Sequence, residues 1–187
     1  MTDKPRISPM AAADINELVR LHEMYLNFGE GVRAHFAQVL ADPASVAVKC
    51  EAQGRMIGLD IYTRGIALSG GHEELCARVR TLAGEATVYT GDALLVVPAW
   101  RGKGVSALML AESRRLLAAR GAVYVLYELW VHPDGQMPAR HTVGQYADVT
   151  DLGLHEHFYV DFDHYGYYCP ICGDKCRCGA HLYLCRV

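Results

Sequence analysis

Residues 94–110 read LLVVPAWRGKGVSALML, an apolar run that meets a proline, passes through Arg101-Gly102-Lys103-Gly104 and leaves as a helical pattern. Pro98 has no amide N–H to give to a neighbouring strand, so ladder pairing ends there. Gly102 and Gly104 leave the backbone bare where the helix starts, so unpaired N–H groups can converge on an anion with the helix dipole behind them. Arg101 and Lys103 add positive charge beside that seat. A pyrophosphate is the anion this arrangement suits.

The surrounding pattern gives the turn its context. A strand from Asp92 to Val97 precedes it. A helix from about Gly104 to Arg120 follows, stopped at Gly121, and an apolar strand runs from Val123 to Val131. Strand, turn, helix, strand implies a right-handed crossover in a parallel or mixed sheet. On the helix, Val105, Leu108, Met109 and Leu116 share a face that Glu112 interrupts, a stripe whose ordinary role is core packing. Upstream, Ile7 to Pro9 closes a short strand, and Asp14 is placed to cap a helix carrying Ile15, Leu18, Val19, Leu21 and Leu26. Val32 to Leu40 is a second helical pattern ended by Asp42-Pro43. Residues 45–50 and 56–62 read as strands about a Gln53-Gly54 turn. The stretch from Ser69 to Thr90 reads as an insertion beside the sheet, with a helix from Glu73 to Leu82. The fold class is α/β (α+β), a mixed central sheet flanked by helices. Past Val131 the pattern is lost until His155 to Phe162, an aromatic, histidine-bearing segment read as a short helix.

Residues Val96 to Leu108 resemble motif A of the GCN5-related N-acetyltransferases (GNAT), whose signature is Arg or Gln, two residues, Gly, one residue, then Gly or Ala. Ser106 departs from it at the last position. The order of elements from Ile7 to Val131, roughly two-thirds of the chain, also fits that family's plan. The resemblance implies an acetyl-CoA cosubstrate. The backbone of Leu95, Val96 and Val97 would pair with its pantetheine arm, and Arg101, Gly102, Lys103, Gly104, Val105 and Ser106 would cradle its pyrophosphate. It further implies transfer of the acetyl group to a primary amine by direct attack in a ternary complex. Tyr159, followed by Gly166-Tyr167, is the candidate general acid. Glu128 and Asp92 are candidate bases for the proton the amine must lose, with His132 a further one.

With 187 residues, 51% of them hydrophobic, the chain has material for one sizeable core and a small appendage. The division expected is 1–164 for the GNAT-like domain and 165–187 for a cysteine-rich tail. A formal charge of -3 creates no overall basic field, so nucleic acid is not an expected partner. No run of about eighteen apolar residues is present and none follows a basic start, so a soluble, cytoplasmic protein with no membrane partner is expected. The sequence leaves the oligomeric state open, a homodimer included.

Seven cysteines are placed unevenly, five of them in the last nineteen residues. Cys169-Pro170-Ile171-Cys172-Gly173 has the form of a zinc knuckle, with glycine permitting the turn that aims N–H groups at sulfur. Cys176-Arg177-Cys178-Gly179 is a less regular second pair, with His181 and Cys185 behind it. The expectation is one structural Zn2+ on Cys169, Cys172, Cys176 and Cys178, with His181 as the substitute ligand and Cys185 spare. The rival to the enzyme is a non-catalytic fold that holds coenzyme A, or nothing, while its zinc tail docks a protein or nucleic acid. The acceptor, a small molecule or a peptide, is not legible. Tyr165, Tyr167 and Tyr168 and the carboxylates suit a cationic amine as well as they suit packing.

Overall fold

The computed structural model describes residues 4–161, 166–173 and 175–187. In chain order these form β1 (Arg6–Pro9), α1 (Ile15–Tyr25), β2 (Phe28–Gly29), α2 (Val32–Ala41), β3 (Val46–Ala52), β4 (Arg55–Arg64), α3 (Glu73–Ala83), β5 (Val88–Val96), α4 (Val105–Ala119), β6 (Tyr124–Val131), β7 (Val149–His155), β8 (Tyr167–Tyr168) and β9 (Gly179–Arg186). Seven strands make one sheet in the order β1-β3-β4-β5-β6-β9-β7, and β2 pairs with β8. The β5–β6 pair is parallel, as the crossover through α4 requires. The other pairs in the sheet are antiparallel.

Both faces of the sheet are covered. Val105, Met109 and Leu117 of α4 pack on Val48, Cys50, Tyr89 and Val125 on one face. On the other, α1 and α2 bring Leu18, Leu21, Val32 and Phe36 against Leu59, Ile61, Ala93 and Leu95. Farther along that same face, α3 and the cysteine segment cover Val88, Leu126, Leu182 and Leu184. This is why β4 reads as a largely apolar run broken by Asp60: Met56 to Tyr62 are buried in succession, with helices above and below.

Several expectations are corrected. The strand before the glycine turn starts at Val88, not Asp92, because Val88–Thr90 pair with Tyr124–Leu126. Leu108 is 50% exposed; the buried face of α4 instead runs through Val105, Met109, Leu110, Ser113 and Leu117. The unpatterned stretch after Val131 contains β7, an edge strand whose first three residues are exposed and so carry no apolar alternation. His157 to Asp161 form turns rather than a helix, and Phe162 lies outside the described residues. Residues 179–186, read as part of the tail, are strand β9 between β6 and β7, bonded to both along their length. The expected boundary at 164/165 and Tyr165 fall outside the described residues.

Candidate active site

Gly102 and Gly104 adopt φ of 70° and 78°, a left-handed conformation that strains any side-chain-bearing residue. The space a Cβ would occupy at either is open, so backbone conformation rather than crowding demands glycine here. The first hydrogen bond of α4 runs from the Leu108 N–H to the Gly104 carbonyl at 3.1 Å. Helix geometry therefore directs the Val105, Ser106 and Ala107 amides out of the helix end. Lys103 Nζ lies 5.0 Å over the Trp100 ring, and Ser106 Oγ is hydrogen-bonded to His141 Nε2 at 3.1 Å. Arg101 Nε donates to the Val96 carbonyl at 2.9 Å and the Val97 N–H donates to the Ile57 carbonyl at 2.9 Å. The Trp100 N–H donates to the Val97 carbonyl at 2.9 Å, so three groups of the Leu95–Val97 backbone are engaged within the chain.

Beside this turn, β5 and β6 part. Their pairing stops at Thr90 opposite Leu126. The β4–β5 register shifts between Ile61 opposite Ala93 and Tyr62 opposite Gly91, which leaves Asp92 as a bulge residue. A cavity of about 470 Å³ fills the gap. Its lining draws on both faces of the sheet, from Tyr62, Tyr127 and Thr142 on the α4 side to Phe36, Leu68, Glu128 and Tyr159 on the other. Thr142 Oγ1 and Asn27 Oδ1, both in this lining, are buried without a hydrogen-bond partner among the described residues.

Two of the sequence-predicted catalytic residues are brought together. Glu128, on β6, accepts a 2.8 Å hydrogen bond from the Ser69 N–H and is hydrogen-bonded to the Tyr159 hydroxyl. Burial raises the Glu128 carboxyl above the ordinary glutamate range, against the lowering effect of Ser69 and Tyr159. Burial and the neighbouring Glu128 charge hold the Tyr159 phenol well above its usual range, so it carries its proton at neutral pH. The segment before it is anchored by His72, whose ring stacks on Phe158 at 3.8 Å and whose Nε2 is 3.0 Å from the Phe158 carbonyl. Asp92 lines the cavity apart from this pair, bonded through Oδ2 to His35 Nε2 at 2.8 Å. That bond raises the His35 pKa, while burial pulls His22 down to about 4. His132 is outside the cavity lining.

Asp60 was missing from the sequence-based set. Its Oδ2 accepts from Ser113 Oγ at 2.6 Å and from the Tyr62 hydroxyl at 3.1 Å. Tyr62 shares a 3.0 Å hydrogen bond with Tyr127, and Tyr127 a 2.7 Å one with Tyr146. Asp60, Tyr62 and Tyr127 all line the cavity. The available signal was a lone carboxylate inside the apolar run 56–62. Burial, against the Ser113 and Tyr62 hydrogen bonds, raises Asp60 from 3.8 to about 7. Between those values the folded chain binds more protons than the unfolded one, so this group's contribution to stability is lost as pH rises. Relative to Asp60→Asn, the wild type should lose unfolding free energy from about pH 4 to about pH 7 in urea titrations. Parallel curves for the two proteins would refute the assignment.

The sulfurs of Cys169, Cys172, Cys176 and Cys178 lie within 4.8 Å of one another. Cys178 Sγ is 3.9 Å from that of Cys169 and 3.5 Å from that of Cys172. A tetrahedral zinc with bonds of about 2.3 Å needs sulfurs about 3.8 Å apart. The Cys172 N–H donates to Cys169 Sγ at 3.4 Å and the Arg177 N–H to Cys172 Sγ at 3.3 Å, the backbone support such a site requires. The donor set therefore fits the metal. His181 is elsewhere, bonded to Asp151 Oδ1 at 2.8 Å and stacked on Tyr183. Cys185 packs into the α4 side of the core. Cys169 and Cys176 also line the cavity, so the cluster and the Glu128–Tyr159 pair share one wall.

No protein-family model matches the sequence, and no curated protein matches it either. Solved structures do. NAA60 from Arabidopsis thaliana, in complex with acetyl-CoA, superposes with a TM-score of 0.70 at 15% identity, over 98% of this chain and 99% of that one. The N-acetyltransferase from Staphylococcus aureus gives 0.65 at 11% identity, over 98% of each chain. The ribosomal-protein-S18-alanine N-acetyltransferase from Escherichia coli gives 0.63 at 13% identity, over 98% of this chain and 94% of that one. The likeness extends past Val131, where the sequence resemblance stopped. Glycine turn, strand divergence and whole-chain superposition agree: this chain has the fold of the GCN5-related N-acetyltransferases.

Proposed function

We propose that the protein is an acetyl-CoA-dependent N-acetyltransferase acting on a primary amine by direct attack in a ternary complex. The observation that carries this reading is the divergence of β5 from β6 beside the Arg101–Ser106 helix start. The cavity so formed is lined from both faces of the sheet, so a thioester can enter from one face and an amine from the other. The Val105 and Ser106 amides, with Arg101 and Lys103, hold the pyrophosphate. The free edge of β5 receives the pantetheine arm through the backbone of Leu95 and Val96; Val97, whose N–H and carbonyl are both bonded within the chain, borders it. Thr142 Oγ1 supplies a further polar contact.

Glu128 takes a proton from the incoming ammonium, and the freed nitrogen attacks the thioester carbonyl carbon. As the C–S bond breaks, Tyr159 gives its phenolic proton to the departing sulfur and recovers one from Glu128. Of the two protons the ammonium loses, one ends on the thiol and the other leaves to water. Asp92 with His35 is the alternative base. A buried acid-base pair facing the cavity favours an enzyme over a binding module. One Zn2+ on Cys169, Cys172, Cys176 and Cys178 would be structural, closing the wall behind Tyr159. Among the described residues no helix is long and apolar enough to cross a membrane. The cytoplasm, where thiols stay reduced, suits the cysteine cluster.

Acetyl-CoA should raise the melting temperature. At a hundredfold excess over Kd the gain is about 2.7 kcal/mol, or roughly 5–10 °C for a chain of this size. Gly104→Val should abolish the shift, because a β-branched residue resists the left-handed conformation and covers the amides. A wild-type protein that shows no shift at millimolar acetyl-CoA would rule the enzyme out.

A further inference from the structure

The carboxyl groups in the cavity lining are Asp60, Asp92 and Glu128, and no lysine or arginine is among its described lining residues. Asp92 has His35 as a partner. Among the described residues, the donors to Glu128 and Asp60 are neutral: the Ser69 amide and side chain and Tyr159 for one, Ser113 and Tyr62 for the other. A cation entering this space meets attraction that no fixed positive side chain offsets. A second carboxylate brought in with it meets repulsion and no partner. Asn27 Oδ1, on the face away from α4, is an unfilled acceptor for a donor such as an ammonium group. Much of the remaining wall is apolar, including Val32, Phe36, Ile61, Leu68 and Trp130.

The approach to this face is narrowed. The α1–α2 connection and the segment ahead of the cysteines pair as β2 and β8, with Phe28 opposite Tyr168 and Gly29 opposite Tyr167. The Phe28 and Tyr168 rings stack at 5.1 Å. A Cβ on Gly29 would overlap the Gly166 carbonyl, so the two backbones are in contact. Tyr167 of this pairing and Leu26, Asn27 and Cys169, which flank it, line the cavity. An extended peptide docks in a groove or on a free strand edge. Here the two segments that would flank such a groove are bonded to each other.

Resting on the acetyl transfer proposed above, we infer that the acceptor is a compact primary amine with an apolar body and no carboxylate, rather than an amino acid or a polypeptide end. Its ammonium group is drawn to Glu128 and Asn27, and its body fills the apolar wall. The full chain, first shown to bind acetyl-CoA by its melting shift, is given acetyl-CoA with phenethylamine, phenylalanine or an unblocked tetrapeptide beginning with phenylalanine. Product is followed by mass spectrometry. Phenethylamine and phenylalanine share ring and amine and differ by one carboxylate. The kcat/KM for phenethylamine should exceed that for each of the others by at least about tenfold, as expected for an unpaired like charge. A smaller ratio, or acetyl-CoA binding with no acetylated phenethylamine, would overturn the inference. A missing melting shift would instead overturn the transferase reading, and this inference with it.

Discussion

Replacing Tyr159 with phenylalanine is expected to lower the turnover of acetyl transfer by about 10²- to 10⁴-fold, the range for a lost general acid, with acetyl-CoA affinity nearly unchanged. The phenol is buried and lines the cavity, and it is paired with Glu128. Its raised pKa keeps the phenol protonated at neutral pH, so a proton is at hand where the sulfur departs. Phenylalanine keeps the ring packed against Phe158, which lies 5.1 Å away centroid to centroid, so the wall survives the change. The variant also removes one hydrogen bond that lowers the Glu128 pKa, while burial, the larger effect, remains. The acidic limb of the pH–rate profile, which reports the base, should therefore lie above the ordinary glutamate range in the wild type and move further up in Tyr159→Phe. Unchanged turnover, with chemistry shown to be rate-limiting, would transfer the acid role to another group.

Metal content should respond as sharply to Cys178→Ser. Elemental analysis of the wild type, purified reduced and without chelator, is expected to find about one zinc per chain. The Cys178 sulfur is fully buried, with the Cys169 and Cys172 sulfurs beside it and the Trp130 indole directed at it. Serine offers a poor ligand for zinc, and the remaining three thiolates would lose most of the occupancy. Zinc-finger peptides draw about 10–16 kcal/mol from the metal, and the short 169–178 segment has little apolar surface of its own to replace it. Chelation should therefore expose the segment to proteolysis before the sheet unfolds. Cys185→Ser should keep the metal, since Cys185 packs on the opposite face of the sheet from the cluster. A metal-free wild type, or a Cys178→Ser protein with full zinc content, would defeat the assignment.

What the sequence by itself determined is local. The glycine turn, the helix that leaves it and the Cys-x-x-Cys spacing each lie within about a dozen residues, where backbone conformation follows from residue type. The crossover from β5 to β6 follows as well, because the handedness of such a connection has one solution. Tertiary structure decided the rest. Strand β9 sits between β6 and β7, a choice of partners that no periodicity encodes, and β7 itself is an edge strand whose exposed residues lack alternation. Asp60 is joined to Tyr62, Tyr127 and Tyr146 by the register of two strands and a turn far apart in the chain. The contact of Glu128 with Tyr159, the bond of His35 to Asp92, and the β2–β8 closure arise in the same way. A side chain's own type states which bond it can make; the partner is chosen by which strands and helices the apolar faces bring together.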